Sequence, residues 1–105
     1  SRTMIRQLEE DQKRRSKRAL TDAIDRALID LLAIYRDVLM VQVGGDGELI
    51  NTDLADLVHE IAQDSTPRQT LARVDHIETA RKRLVSNGNP LLVLEDMAIS
   101  LRPQA

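Results

Sequence analysis

NGNPLLVLE, residues 87–95, is the stretch that decides how this chain folds. Asn89 belongs to the residue types preferred at helix N-caps. Pro90 then takes the first helical position, where its missing N–H leaves no hydrogen bond unmade. The following residues, up to 101, are mostly apolar, and Glu95 is set among them. The pattern predicts a tight turn followed by a short, largely apolar helix.

Three further helices are predicted upstream of this turn. A proline at a first helical position recurs at Pro67, which indicates a helix over 67–86 that begins after a Ser-Thr cap. Apolar periodicity predicts two more, over 53–63 and 3–42, and the last helix covers 90–101. Three clustered glycines end the longest one. Strand signals are almost absent, so the expected fold is all-α, a helical bundle of about four helices.

The long first helix divides into two parts. Residues 9–18 contain no apolar side chain, but three acid–base pairs four residues apart can stabilise them as a solvated helix. A helix of about 40 residues spans about 60 Å, whereas a domain of this size has a radius of gyration near 13 Å. The N-terminal part is therefore expected to project. Residues 1–18 are interpreted as a charged helical linker from an upstream domain, and 19–105 as the folded domain.

The second part of this helix has two apolar sides. From Leu20 onward one side follows the i, i+3, i+4 rule, and Ile29, Ala33 and Met40 add a strip on roughly the opposite side. Such a helix either lies at the centre of a bundle or meets another chain. Both readings stay open at the level of sequence.

Composition excludes several classes of function. With 105 residues the chain is one domain, and its net charge of −2 argues against a strongly basic nucleic-acid surface. Tyr35 is the only aromatic residue, so a base-stacking platform is not expected. The absence of cysteine excludes disulfides and thiolate metal sites and suits the cytoplasm. No apolar run approaches the ~20 residues of a membrane span.

The basic residues of the first helix allow two interpretations. They either belong to a linker helix that is surrounded by solvent, or they form a phosphate-contacting patch. In the second case Arg14, Arg15 and Arg18 are the candidate nucleic-acid contacts. The neighbouring acidic residues weaken the second interpretation.

No constellation of residues predicts catalysis. Asp56 and His59 lie one helical turn apart, with Glu60 beside them, and they are the best candidates for a metal or acid–base site. The apolar stripe of their helix turns them away from the core, so no catalytic, cofactor-binding or metal residue is assigned and no cofactor is expected. That stripe is Leu54, Leu57, Val58 and Ile61.

Two charged residues fall inside apolar arcs. At 100° per residue, Glu95 lies among the apolar residues of the last helix, and Arg81 lies among those of the preceding one. A lone buried charge is costly, so each needs a partner. We predict a structural buried ion pair between Arg81 and Glu95, with Asp37 as the alternative acid.

Three short motifs follow one another along the chain: Tyr35-Arg36-Asp37-Val38-Leu39, Ala80-Arg81-Lys82-Arg83-Leu84, and the closing set Asn87, Asn89, Pro90, Leu94 and Glu95. Their order resembles that in the C-terminal domain of bacterial clamp-loader subunits, the AAA+ proteins of DNA polymerase III. The gamma and tau subunits of that family share the closing motif, so Arg36-Asp37 and the glycine loop favour the delta-prime type.

The resemblance implies a collar or oligomerisation domain over 19–105 that lacks the ATPase modules. Such a domain is non-catalytic and holds subunits in a ring, so its partners are the other clamp-loader subunits in a hetero-oligomer, with DNA contact only weak. The expected interface residues are Ile29, Ala33, Met40 and Met97. The alternatives are a helical dimerisation or adaptor domain of an unrelated regulator, with a basic projecting helix, and a small enzyme around the Asp56 group.

Overall fold

The computed structural model describes residues 1–86 and 88–102. Its elements are helix α1 (Arg2–Gln42), a short 3₁₀ helix (Thr52–Leu54), and helices α2 (Ala55–Asp64), α3 (Pro67–Ser86) and α4 (Pro90–Ser100). The described ranges contain no strand. The expected all-α bundle is therefore confirmed. Asn87 of the predicted turn, and residues 103–105 of the predicted domain, lie outside the described residues.

The helix ends follow from local sequence. Helix α1 contains no glycine or proline, and it stops where Gly44 takes a left-handed φ of 70°. The Gly45 N–H donates to the Met40 carbonyl at 2.9 Å and the Gly44 N–H to the Val41 carbonyl at 3.2 Å, which is a Schellman-type end. These bonds satisfy carbonyls that the helix itself leaves unpaired.

Side-chain caps set the starts of α3 and α4. The Gln69 N–H donates to Thr66 Oγ1 at 3.1 Å while Gln69 Oε1 accepts from the Thr66 N–H at 2.9 Å, so a reciprocal capping box precedes Pro67. At α4, Asn89 Oδ1 accepts from the N–H groups of Leu91 and Leu92. Both proline-start signals in the sequence therefore mark true helix starts.

The core lies in two clusters along α1, and Tyr35 packs against both. The larger joins α1, α3 and α4, and the smaller joins α1 to α2. Of the predicted inward stripe, Val58 is buried and Ile61 packs against the smaller cluster. Leu54 and Leu57 are 36% and 44% exposed, because the arc of α2 that faces α1 is centred on Val58 and Ala62. The larger cluster contains Ile24, Leu28, Ile77, Ala80, Leu84, Val93 and Met97.

The N-terminal half of α1 extends away from the bundle. The first buried residue is Ile24, and the molecule measures 65 × 29 × 18 Å. Within residues 1–18 the recorded side-chain hydrogen bonds are local, from the Met4 N–H to Ser1 and from Arg14 to Asp11. The charged stretch is therefore a solvated, projecting helix.

Candidate subunit-assembly surface

Arg81 joins α3 to α1 through Asp25. Its Nε donates to Asp25 Oδ1 at 2.8 Å and its Nη2 to Oδ2 at 3.3 Å, and both side chains are about one-third exposed. The hydrogen bond from Arg81 lowers the pKa of Asp25 below its ordinary value of 3.8, and the charge of Arg81 acts in the same direction against partial burial. The same hydrogen bond raises the pKa of Arg81.

The predicted partner of Arg81 was therefore wrong. Arg81 does require an acid, but Glu95 is exposed on α4 and Asp37 is engaged elsewhere. The helical angle placed Glu95 correctly among apolar residues. Those residues, however, form the arc of α4 that faces away from the bundle.

Asp37 is fully buried and holds the loop that follows α1. Its carboxylate accepts from the Ile50 N–H at 2.8 Å, from the Asn51 N–H at 2.8 Å and from Asn51 Nδ2 at 2.9 Å. Burial acts to raise the pKa of Asp37. These hydrogen bonds and Arg36, with Nη1 at 3.7 Å, outweigh it and leave the pKa below its ordinary value. The loop end is therefore held by a charged acceptor.

A second polar cluster, formed by Gln42, Ser65 and Thr70, connects three helices. Gln42 Nε2 donates to the carbonyls of Ala62 and Ser65 at 3.3 and 3.0 Å, and Gln42 Oε1 accepts from Thr70 Oγ1 at 2.7 Å. Thr70 is fully buried. The cluster caps the end of α2 and fixes the start of α3 against α1. Sequence reasoning missed it, and its only signal was a polar residue directly after the apolar residues that end α1.

The outer face of α4 consists of Leu91, Leu92, Glu95, Ala98 and Ile99. Its three large apolar side chains are 55%, 56% and 58% exposed, in that order along the chain. The opposite arc carries Pro90, Val93 and Met97, all buried. Helix α4 is therefore apolar on both sides, and the bundle covers one side only.

The predicted interface residues lie in different environments. Ile29 is 45% exposed, whereas Ala33 and Met40 are half-buried. The Met40 methyl lies against the glycine loop, since a Cβ added at Gly45 would be 2.8 Å from it. Met97 is 7% exposed in the core, so its assignment to an interface was wrong. The physical reason is that Met97 lies on the arc of α4 that faces the bundle, together with Pro90 and Val93.

A groove of about 420 Å³ runs between α2, α3 and the end of α4. Arg73 lies over the ring of Tyr35, 5.8 Å from its centroid, at one side of this groove. Glu60 and Asp64 line it as well. One aromatic ring, aliphatic side chains and groups of both charges therefore line this groove.

The remaining predicted residues are all exposed. Arg14, Arg15 and Arg18 lie on the projecting part of α1, where Arg14 contacts Asp11, so their contact with nucleic acid stays a prediction. Asp56, His59 and Glu60 are also exposed. The part of the chain that the structure describes has no group of three or more His, Cys, Asp or Glu residues arranged to hold a metal ion.

Comparison with known proteins gives the family. The model of the C-terminal domain of the DNA polymerase III delta subunit matches residues 3–102. The chain belongs to this family. It is also 36% identical over 72 residues to the DNA polymerase III subunit delta' of Bacillus subtilis (strain 168). That match covers 69% of this chain and 22% of the relative, and no solved structure matches.

The family match and the identity to the Bacillus subtilis delta' subunit together confirm the predicted resemblance to the delta-prime type. The delta-type C-terminal domain is a non-catalytic, structural part of the clamp loader, as the sequence interpretation predicted. None of the described helices is both long enough and apolar enough to cross a membrane.

Proposed function

We propose that this chain is the collar domain of a delta-prime clamp-loader subunit. It would hold AAA+ subunits in a ring, so that the assembly can load sliding clamps in DNA replication. The proposed partners are the other clamp-loader subunits, and the cytoplasm is the expected site of action. The observation that carries the proposal is the outer face of α4, where Leu91, Leu92 and Ile99 are each more than half exposed side by side.

The polar contacts within the bundle support this function. Arg81 with Asp25 joins α3 to α1, Asp37 holds the loop before α2, and Gln42 joins α1 to α2 and α3. Each contact has directional geometry and fixes the alignment of neighbouring helices. A domain that sets the positions of its neighbours requires such a rigid frame.

Reconstitution tests the proposal. The full-length protein that carries this chain is mixed with the other clamp-loader subunits of the same organism, and assembly is measured by size-exclusion chromatography with light scattering. We expect a stable hetero-oligomer for the full protein, and loss of assembly when residues 19–105 are deleted. Unchanged assembly after the deletion contradicts the proposal.

An adaptor domain that contacts DNA through its first helix is the second candidate. The exposure of Arg14, Arg15 and Arg18 on a projecting helix favours it. A triple substitution of these residues by glutamine would then weaken DNA binding and reduce its salt dependence by up to about three phosphate contacts. Normal subunit assembly and unchanged DNA binding in this variant argue for the collar and against the adaptor.

A further inference from the structure

The outer face of α4 has a charged centre surrounded by apolar side chains. At 100° per residue, Glu95 lies about 40° from both Leu91 and Ile99 around the helix axis, and about 60° from Leu92 and Ala98. All five residues are exposed. In the described part of the chain, Glu95 takes part in no salt bridge. The face is therefore an apolar surface with one free carboxylate at its middle.

An apolar surface of this kind gains free energy when it is covered, but covering it removes water from Glu95. Burying an unpaired carboxylate is costly, whereas a buried carboxylate that meets a cation in good geometry can be retained. The covering surface must therefore supply hydrogen-bond donors at the matching position. A lysine or arginine supplies them and also neutralises the charge of Glu95, so charge complementarity favours a basic partner.

The same argument disfavours a symmetric dimer centred on this face of α4. A two-fold axis through the centre of the face would bring Glu95 close to Glu95 of the second copy. Two like charges in a desolvated contact repel each other. The central carboxylate therefore selects against self-association and in favour of a different chain.

We propose that the outer face of α4 packs against a helical surface of a neighbouring clamp-loader subunit, with a lysine or arginine of that subunit paired to Glu95. The inference rests on the proposed collar function and deepens it, because it assigns one contact surface and the charge of its partner. The apolar side chains supply the buried area, and Glu95 supplies orientation and discrimination between neighbours.

The test compares two charge reversals in the reconstituted complex of full-length subunits. Glu95→Lys puts like charges in contact and is expected to raise the dissociation constant of the complex about tenfold or more. Glu95→Gln is expected to raise it less. Asp75→Lys, at an exposed position of α3, makes the same change in net charge and is expected to leave assembly within about twofold. Equal effects of the two reversals, or none from Glu95→Lys, overturn the proposal.

A second pair of variants tests the apolar part of the face. Leu92 and Leu71 are similarly exposed, at 56% and 52%, but Leu71 lies on α3. Leu92→Ala is expected to weaken assembly about fivefold or more, and Leu71→Ala less than twofold. Equal losses in both variants count against α4 as the contact. Circular dichroism verifies that each variant is folded.

Failure of this inference is distinguishable from failure of the proposed function. If the wild-type protein assembles and deletion of 19–105 abolishes assembly, the collar function stands whatever the α4 variants do. In that case, unaffected assembly of Glu95→Lys and Leu92→Ala rejects only the α4 surface. If the deletion leaves assembly intact, both proposals are rejected.

Discussion

Gln42 and Thr70 are joined by a hydrogen bond of 2.7 Å between Gln42 Oε1 and the Thr70 hydroxyl, across 28 residues of sequence. The amide of the same glutamine donates to the carbonyl of Ser65, at the end of α2. One side chain at the end of α1 therefore holds the end of α2 and the first turn of α3 in place. The angle between these helices depends on it.

Replacement of Gln42 by methionine should destabilise the fold. The new side chain has similar length, but it leaves the carbonyls of Ala62 and Ser65 without this donor and removes an acceptor from Thr70. We expect a loss of about 1.5–3 kcal/mol in the free energy of unfolding, measured by urea denaturation. Gln63→Met, at an exposed position of α2, is the matched control and should cost less than about 0.5 kcal/mol. Equal losses would contradict the role of Gln42.

Asp37→Asn should destabilise the protein in a pH-dependent manner. The amide removes the negative charge and presents N–H groups to the donors of Ile50 and Asn51, so we expect a loss of about 2–4 kcal/mol at neutral pH. The pKa of Asp37 is lower in the folded state than its ordinary value of 3.8. The stabilisation is thus complete above 3.8 and is lost as pH falls through the lower folded-state value.

The denaturation midpoints of wild type and Asp37→Asn should therefore differ less at acidic pH than at neutral pH. Asp46→Asn, at an exposed position of the same loop, provides the control and should match wild type at neutral pH. A gap that widens as pH falls below 3.8 would reverse the sign and refute this account.

A double-mutant cycle should assign the partner of Arg81. For Arg81→Met with Asp25→Asn we expect a small but measurable coupling, because both side chains are about one-third exposed to solvent. For Arg81→Met with Glu95→Gln we expect no coupling. Chemical denaturation of the single and double variants gives both values. A larger coupling with Glu95 would restore the pairing predicted from sequence.

Gly88→Ala should be more costly than Gly45→Ala. A Cβ at Gly88 would lie 2.8 Å from the Arg83 carbonyl oxygen and 2.5 Å from Val93 Cγ2, so backbone must shift. A Cβ at Gly45 would meet mainly the flexible tip of Met40 at 2.8 Å. We expect about 1–3 kcal/mol at Gly88 and less than about 1 kcal/mol at Gly45 from thermal unfolding. The opposite order would be evidence against close packing at the α3–α4 turn.

Removal of residues 1–18 should leave the stability of the bundle unchanged. These residues contribute no buried side chain, so we expect the free energy of unfolding, measured by urea denaturation, to change by less than about 0.5 kcal/mol. Removal of residues 1–28 also deletes Ile24 and Leu28, which are 8% and 2% exposed, and should abolish cooperative unfolding. A large loss from the shorter deletion would contradict a boundary near residue 18.

Helix limits were predictable because the caps and prolines are local signals. The predicted starts at Pro67 and Pro90 match the structure, and the predicted end at residue 42 matches Gln42. The contacts between helices were harder to predict. Helix α4 is apolar on both arcs, so its periodicity could not select Val93 and Met97 over Leu91, Leu92 and Ile99 as the covered set.

The roles of Asp37 and Gln42 depended on the path of loops. Both side chains bind backbone groups that lie 13 to 23 residues later in the chain. Spacing rules for neighbouring residues do not predict contacts between segments so far apart in the sequence. Asp37 was suspected only as a partner for Arg81, because a buried acid first suggests a basic residue rather than the amides of a turn.

The length of α1 has a mechanical consequence. An unbroken helix without glycine or proline behaves as a stiff rod, and the part from Arg2 to residue 20 forms an arm of about 28 Å beyond the packed helices. A tilt of the bundle by about 10° would carry the tip of that arm about 5 Å sideways. Small rotations at the base of this lever are thereby converted into displacements as large as the pitch of a helix.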